Sequence, residues 1–431
     1  MHIMIITQQW APEFGIPQLR GAWFVQSLMT AGHTVDVITA PPHYPTGKLL
    51  SDDPAVQAGA VAIGENGERV WRSHFRPHTA SIPSRMVDQL VVALSSIRAA
   101  LKARAVHQPD VILASAPPLP SAFTAWTVAR ILHVPFIVDV RDAWPDLSRY
   151  VAIADSVLLG KTTLRGTIRQ PAINLGAQIF DRMLRSANGL ITTNERHTCE
   201  LQRRYRKPVI TISNIELENA SAAAEPVSTG AVSPTSVTSP NPSKPLTRPL
   251  RVLYAGTVGR AQGIENLVRA AAIAQHAGHP IELTVAGNGA HLKVAKAVAK
   301  KLGVPVEFLG RVDPSTVRER YRWADVVMVH LRPWEPLQFT IPSKTFEVIS
   351  TGKYVVGVVQ GAAAELIEHA GAGSVVPPGD PQALAAEFQR LANTPEELTK
   401  NACGAEWVRS EKAAQHSAQR LITFFDRLTH S

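Results

Sequence analysis

Short β-rich runs alternate with longer helical patterns along most of this chain, and the alternation runs twice. In the first pass "HIMIIT" reads as a strand, "LRGAWFVQSLMTAG" as a helix ending at Gly32, and "TVDVIT" as a strand. The helix "MVDQLVVALSSIRAALKARAV", strand "DVILASA", helix "AFTAWTVARILH", strand "PFIVDVRD", helix "LGAQIFDRMLRSA" and strands "GLITTN" and "PVITISN" follow. At Ala220 the pattern stops. "ASAAAEPVSTGAVSPTSVTSPNPSKPLTRP" has almost no large apolar residues and cannot bury enough surface to offset its chain entropy. The second pass starts at "LRVLYAG" and continues through "IELTVAG", "VEFLG", "VVMVHL", "YVVGVV" and "GSVVPPG", each followed by a helical pattern. Such a rhythm dictates parallel sheets covered by helices on both faces.

The expected organisation is therefore an α/β chain of two tandem, doubly wound domains. Residues 1–219 form the first domain and 220–249 a flexible linker or insertion. Residues 250–410 form the second domain, and 411–431 a terminal helix that packs back on the first. Removing residues 222–247 is expected to change the melting temperature little. Ligands of doubly wound sheets bind beyond the carboxyl ends of the strands, here in a crevice where the two domains face each other.

A length of 431 residues exceeds what one core supports. Only Cys199 and Cys403 are present, which points to a reducing compartment without a disulfide framework or zinc fold. The first apolar run lacks a basic leader and stops at Pro12, so it reads as a strand and not a signal peptide. No stretch reaches the length of a membrane helix. The expected location is the cytosol, free or at a membrane surface.

The net charge of +9 is concentrated. Between Arg149 and Lys207, eleven Lys/Arg face four Asp/Glu. A solvated basic face, an anionic membrane or a phosphorylated substrate all fit that surplus. No aromatic-basic motif of a nucleic-acid module accompanies it, so nucleic acid is not expected as a partner.

Several βα loops carry residues suited to a phosphorylated ligand. "QQWAPEFGIPQLRG" places Gly15 before a helix start, and "YAGTVGRAQG" surrounds Arg260 with Gly256, Gly259 and Gly263. The second loop matches neither a P-loop nor a GxGxxG fingerprint. "VDVRDAWPD" puts Arg141 and Asp142 just past a strand, and "VEFLGRV" does the same for Gly310 and Arg311. The paired glycines of "TVAGNGA" read as structural. In "FTIPSKTFEVIS", Pro342 belongs to a first helical turn, which brings Lys344 and Glu347 within two turns of a helix start. Two readings stay open there. Lys344 and Glu347 form an exposed i,i+3 pair worth a few tenths of a kcal/mol, or they meet phosphate and ribose. The 15 histidines are scattered, without metal-ligand spacing, and no nucleophilic triad shows local spacing.

Taken in order, "WAPEFGIPQLR", "TAPPHYPTGK", "LASAPPLP", "VDVRDAWPD", "YAGTVGRAQGIENLVRAA", "VAGNG", "VEFLGRV", "IPSKTFEVISTGK" and "GAGSVVPPGDPQALA" resemble the retaining glycosyltransferases of family 4. These have the GT-B fold of two Rossmann-like domains. The closest subgroup is that of sugar and amino-sugar transferases of O-antigen, capsule and colanic-acid assembly. The resemblance implies a sugar nucleotide in the C-terminal domain, a glycan or polyprenyl-diphosphate-linked acceptor in the N-terminal domain, and no metal or other cofactor. Carried over, Glu347 matches the second glutamate of an E-x7-E motif that binds the ribose. Ser343 and Lys344 fall at the diphosphate, Gly310 and Arg311 in the base-binding loop, and Gly15 beside the donor. Arg141 and Asp142 fall where many members have a catalytic His–Asp.

Three departures accompany this resemblance. Phe339 stands where the first glutamate would be, and Thr257 and Gln262 stand where the diphosphate Arg and Lys would be, with Arg260 as a substitute in the same loop. Gly15 is followed by Ile16 in place of a second glycine. The expected donor is a UDP-hexose or UDP-N-acetylamino sugar. The rival readings are a UDP-N-acetylglucosamine 2-epimerase on the same fold and a non-catalytic sugar-nucleotide-binding protein.

Overall fold

The structure is a computed structural model that describes residues 1–44, 46–79, 82–147, 150, 164–214, 245–399, 402–414 and 416–429. Fourteen strands and thirteen α-helices occur among the described residues, and they fall into two compact units. Most of the linker expected at 220–249 lies outside the described residues.

In unit 1 the strands are β1 (His2–Ile6), β2 (Thr34–Thr39), β3 (Val61–Ile63), β4 (Arg69–Arg72), β5 (Val111–Ala116), β6 (Phe136–Val140), β7 (Gly189–Thr192) and β8 (Val209–Thr211). They form one sheet in the order β3-β4-β2-β1-β5-β6-β7-β8, parallel throughout except for β3. The sheet is parallel as expected, with the β3–β4 hairpin adding one antiparallel strand at its edge. The hairpin has short, half-exposed strands, so the apolar pattern is faint, and Asn66–Gly67 at its turn is the one local sign of it.

The helices of unit 1 are α1 (Ile16–Thr30), α2 (Ile82–Val106), α3 (Leu119–Leu132), α4 (Leu164–Ser186), α5 (Glu195–Tyr205) and, from the far end of the chain, α13 (Ser417–Thr429). Alternation along β1 sorts them into two layers. Met4 and Ile6 face Ala122, Ala125 and Val128 of α3 and Phe180, Met183 and Leu184 of α4. Ile3 and Ile5 belong with Phe24, Val25 and Leu28 of α1 and with Leu421, Phe424 and Phe425 of α13. Full burial of each large apolar side chain stabilises by about 1.5–3 kcal/mol, which is ample reason for α13 to join this layer. The terminal helix expected from 411 is two elements, because α12 ends at Ala414 and α13 begins at Ser417. Helix α5 was not expected from the sequence: it is charged, and it buries only His197, Thr198, Leu201 and Tyr205.

Unit 2 holds β9 (Leu250–Ala255), β10 (Ile281–Ala286), β11 (Val306–Gly310), β12 (Val326–His330), β13 (Tyr354–Val358) and β14 (Gly373–Val376). Their order is β11-β10-β9-β12-β13-β14, all parallel. In order of appearance that is 3-2-1-4-5-6, the doubly wound arrangement with its reversal between β9 and β12. Helices α6 (Ile264–His276), α7 (Leu292–Leu302), α8 (Pro314–Trp323), α9 (Thr345–Ser350), α10 (Ala362–His369), α11 (Pro381–Asn393) and α12 (Ala402–Ala414) complete it.

The start of unit 2 sets a limit on what can be removed before it. Leu246 packs against the core, and its N–H donates to the Ala392 carbonyl at 2.8 Å. The dispensable stretch therefore ends short of 245. Replacing residues 222–243 by a Gly/Ser stretch of equal length is expected to leave the melting temperature unchanged, whereas extending the replacement through Leu246 lowers it. Thermal unfolding of the two variants is the check, and a large loss in the shorter replacement would show that the segment is structural.

Candidate functional site

The reversal in unit 2 is flanked by the loop after β9, residues 256–263, and the segment after β12. The first is fixed by its neighbours. Gly256 N–H donates to Ala286 O at 2.9 Å, Val258 N–H to Asn288 O at 3.0 Å, and His291 N–H to Val258 O at 3.0 Å. A Cβ on Gly287 would lie 1.7 Å from the Gly256 carbonyl oxygen, so only glycine lets these loops approach so closely. That agrees with the structural reading of the paired glycines.

Within this loop, the side chains suggested by the sequence take different roles. Gln262 accepts the Gly259 N–H at 3.1 Å, which makes it a brace of the loop, and Thr257 is exposed with its carbonyl receiving the Tyr254 hydroxyl at 2.7 Å. Arg260 is half-buried. Its carbonyl accepts from Arg332 Nε at 2.7 Å, and Arg332 also donates to Ala261 O and pairs with the buried Glu265. Arg332 escaped the sequence reading, although it is the first charged residue after the apolar strand β12. His330, at the end of that strand, donates from Nδ1 to the Gln262 carbonyl at 2.5 Å. Burial pushes its imidazole down to about 4, so it is neutral.

The motif "IPSKTFE" differs from its expected form. Helix α9 begins at Thr345 and has six residues, with Lys344 at its N-cap and Pro342 in the preceding turn, where the Thr345 N–H donates to Pro342 O at 2.8 Å. Pro342 is therefore outside the helix. A helix this short contributes little dipole, and attraction for an anion there comes mainly from the Lys344 charge. Lys344 Nζ lies 3.9 Å from Glu347 Oε2, both side chains 44% exposed. The Tyr321 hydroxyl donates to Glu347 Oε1 at 3.2 Å. Burial, then the adjacent carboxylate, pushes the Tyr321 hydroxyl above its usual range, so it remains a donor. Ser343 is exposed beside Lys344. Gly310 (φ +70°) gives its carbonyl to the Gly287 N–H at 2.7 Å, and Arg311 is exposed next to it.

In unit 1 the corresponding reversal lies between β1 and β5. Half-buried Gly15 precedes α1, and its carbonyl accepts the Leu19 N–H at 3.0 Å. After β6, the Arg141 guanidinium donates to the Pro117 carbonyl and its backbone N–H to Ala116 O, which fastens this loop to the one after β5. Burial pushes the Asp142 carboxyl up; Arg141 pulls it back and Asp139 pushes it further. Behind them Asp139 holds Arg20 in a buried bidentate pair, with Arg20 Nη2 to Oδ1 at 2.8 Å and Nε to Oδ2 at 2.9 Å.

The structure also gathers residues that looked scattered in the sequence. Glu13 Oε1 accepts the N–H groups of His43 and Tyr44, both at 2.7 Å, and burial pushes its carboxyl up. Against His43 lie Asp88 of α2 and His78. His43, His78 and Asp88, scattered in the sequence, present ligand atoms within 4.8 Å of one another. Ligands 35 and 10 residues apart carry no local signature.

Residues 20–214 match a family profile described as a glycosyl transferase 4-like domain, and residues 249–394 one described as glycosyl transferases group 1. The chain belongs to the GT-B glycosyltransferases. No curated protein sequence matches this glycosyltransferase significantly. Its likeness to solved structures is one of fold. Sucrose-phosphate synthase from Thermosynechococcus elongatus is 18% identical with a TM-score of 0.66, over 99% of this chain and 98% of that one. Anabaena HepE in complex with UDP-glucose is 13% identical with a TM-score of 0.59, over 99% and 100%. A glycosyltransferase from Rickettsia africae is 11% identical with a TM-score of 0.55, over 99% and 98%. Every site residue described above for this glycosyltransferase, apart from Glu13 and Gly15, falls inside the two matched ranges.

Proposed function

We propose that the protein transfers a hexosyl or N-acetylhexosaminyl group, with retention, from a UDP-sugar to a glycan or polyprenyl-diphosphate-linked acceptor. The observation that carries this is the Tyr321–Glu347–Lys344 arrangement in a Rossmann-like unit of glycosyltransferase type. Glu347 receives one hydroxyl on one oxygen and a weak, half-exposed ion pair on the other. Such a pair contributes under about 1 kcal/mol and is easily exchanged for ligand contacts. Glu347 then accepts ribose hydroxyls, while Lys344 and Ser343 turn to the diphosphate. The UDP-glucose bound by Anabaena HepE supports UDP as the nucleotide.

In this reading Arg260 joins Lys344 in stabilising charge as the diphosphate leaves, which is electrostatic catalysis without a metal on the diphosphate. Arg311 and Gly310 serve the base, Thr257 and Gln262 line and brace the diphosphate loop, and Gly15, Arg141 and Asp142 serve the reacting sugar. The acceptor side is supported by α2. It exposes Met86, Leu90 and Leu94 in a row one turn apart, with Arg85, Arg98 and Lys102 also exposed. That combination suits an anionic membrane surface carrying a lipid-linked acceptor. No described helix is long and apolar enough to cross a membrane.

Calorimetric titration with UDP and with uridine tests the nucleotide site. Each charge-assisted hydrogen bond is worth roughly 1.5–3 kcal/mol, so Glu347→Gln is expected to weaken both ligands by about tenfold or more. Lys344→Gln weakens UDP and spares uridine. Unchanged affinities in both variants would reduce the pair to surface decoration.

A further inference from the structure

We propose that His43, His78 and Asp88 form a binding site for a zinc-class divalent cation in unit 1. The hydrogen bonds around the three residues carry the case. His43 Nδ1 lies 2.6 Å from the Pro41 carbonyl and His78 Nδ1 3.0 Å from the Thr79 carbonyl. A carbonyl oxygen can only accept, so a proton sits on Nδ1 of each ring and Nε2 is the nitrogen left to bind a metal, which displaces any proton it shares with Asp88. Both Nε2 atoms meet the same atom, Asp88 Oδ2, at 3.4 Å from His43 and 3.8 Å from His78. The other carboxylate oxygen is already satisfied, since Oδ1 accepts the Arg76 N–H at 2.8 Å.

Three electron-pair donors thus converge with their far sides all anchored to backbone. This is the outer shell that metal-bound imidazoles require, in which the second ring nitrogen donates to a fixed acceptor. Bonds of about 2.0–2.1 Å in a tetrahedron put ligand atoms about 3.3 Å apart; the imidazole–carboxylate separations of 3.4 and 3.8 Å are near that, and the two imidazoles, within 4.8 Å of each other, must draw together as the ion binds. Two nitrogens and one oxygen favour zinc-class ions over Mg²⁺ or Ca²⁺, which take oxygen sets. Three protein ligands leave a fourth position for water or a substrate oxygen.

The surroundings agree with this assignment. The His43 ring stacks on Phe75 at 4.7 Å between centroids, which shields one side from water. Glu13 lies against the His43 backbone and supplies a second negative charge near the ion, while Arg72 anchors to Ala40 O and Ala11 O. Gly47 (φ +74°) lets the loop close over His78, because a Cβ there would meet the His78 carbonyl oxygen at 2.3 Å. The ion would tie the loop after β2, the segment after β4 and the first turns of α2 into one rigid piece at the carboxyl edge of the sheet.

Titration of the untagged, chelator-stripped full chain with Co²⁺ tests the proposal. One Co²⁺ per chain is expected, with the visible absorption of a tetrahedral site, displaced by Zn²⁺. His78→Gln and Asp88→Asn should each weaken uptake by at least about tenfold and abolish that spectrum, since loss of a ligand costs more than the 10–100-fold typical of an outer-shell change. Zn²⁺ should raise the melting temperature of the wild type and of neither variant, with far-UV circular dichroism confirming that each is folded. Should Asp88→Asn fail to fold, His78→Gln carries the comparison. Absence of stoichiometric uptake by the wild type, or an unchanged spectrum in the folded variants, overturns the assignment. Neither result bears on the UDP titrations, which probe unit 2.

Discussion

Asp139→Asn is expected to destabilise unit 1 by about 3–5 kcal/mol, the largest effect of any single polar substitution considered for this chain. Arg20 is 1% exposed, and its guanidinium is held on every side: by Asp139, by Ile212 O at 2.8 Å and by Asn214 Oδ1 at 3.1 Å. The Phe24 ring lies against it, 4.9 Å from the guanidinium carbon to the ring centroid. Asparagine keeps the shape but leaves a buried cation without its counter-charge. Taking both charges away together, as in Arg20→Met with Asp139→Leu, should cost less than the sum of the two single changes, because the main penalty is the unpaired charge and not the lost attraction. Urea unfolding of Arg20→Met, Asp139→Leu, their double variant and the wild type gives the cycle, with Asp139→Asn measured beside them. A loss below about 1 kcal/mol for Asp139→Asn, or strict additivity, would show that water reaches the pair. Asp139 also lies two residues before Arg141, so the same variant should disturb the loop that Arg141 fastens to Pro117.

The pair shows why the fold was legible in this sequence and much of the site was not. The short, continuously buried run "HIMII" and the helical spacing in "IENLVRAAAIAQH" follow from local geometry, and nearly every strand of both sheets could be read from such runs. The β3–β4 hairpin and α5 could not, because half-exposed and charged elements bury too little to leave a pattern. Chemistry depends instead on residues far apart in sequence. Arg20 meets Asp139, Tyr321 meets Glu347, and His43 meets His78 and Asp88 only after the crossovers bring strand ends together. Lys344 and Glu347 were visible as neighbours three residues apart, but the short α9 and the Tyr321 hydroxyl that give the pair its character were not.

Unit 2 is expected to lose about 3 kcal/mol of stability as the pH falls from 6.5 to about 4, and His330 is the cause. Burial at the end of β12 pushes its imidazole from 6.5 down to about 4; the Gln262 carbonyl and Glu265 pull it back, and Arg332 adds to the fall. The folded value lies below the unfolded one. The unfolded chain therefore binds the extra proton throughout this window, and the stability present above pH 6.5 drains away as the pH approaches 4. A difference of 2.5 units corresponds to roughly 3 kcal/mol. Asp313 titrates at lower pH and leaves the window to His330. In unit 1 the buried His197, also pushed down to about 4, acts in the same sense, but the raised carboxyls of Glu13 and Asp142 oppose it. The consequence in unit 2 is local as well. Nδ1–H is already committed to Gln262 O, so the added proton must go to Nε2, which is buried and meets no hydrogen-bond partner. Charging it forces β12 and the loop after β9 apart, and with them the Arg260 and Arg332 side of the proposed nucleotide site. NMR titration of the His330 ring should show no protonation above pH 5, and UDP affinity should fall steeply below it. A ring that titrates near 6.5 with UDP affinity unchanged would mean that solvent reaches His330 and that the loop does not depend on its neutrality.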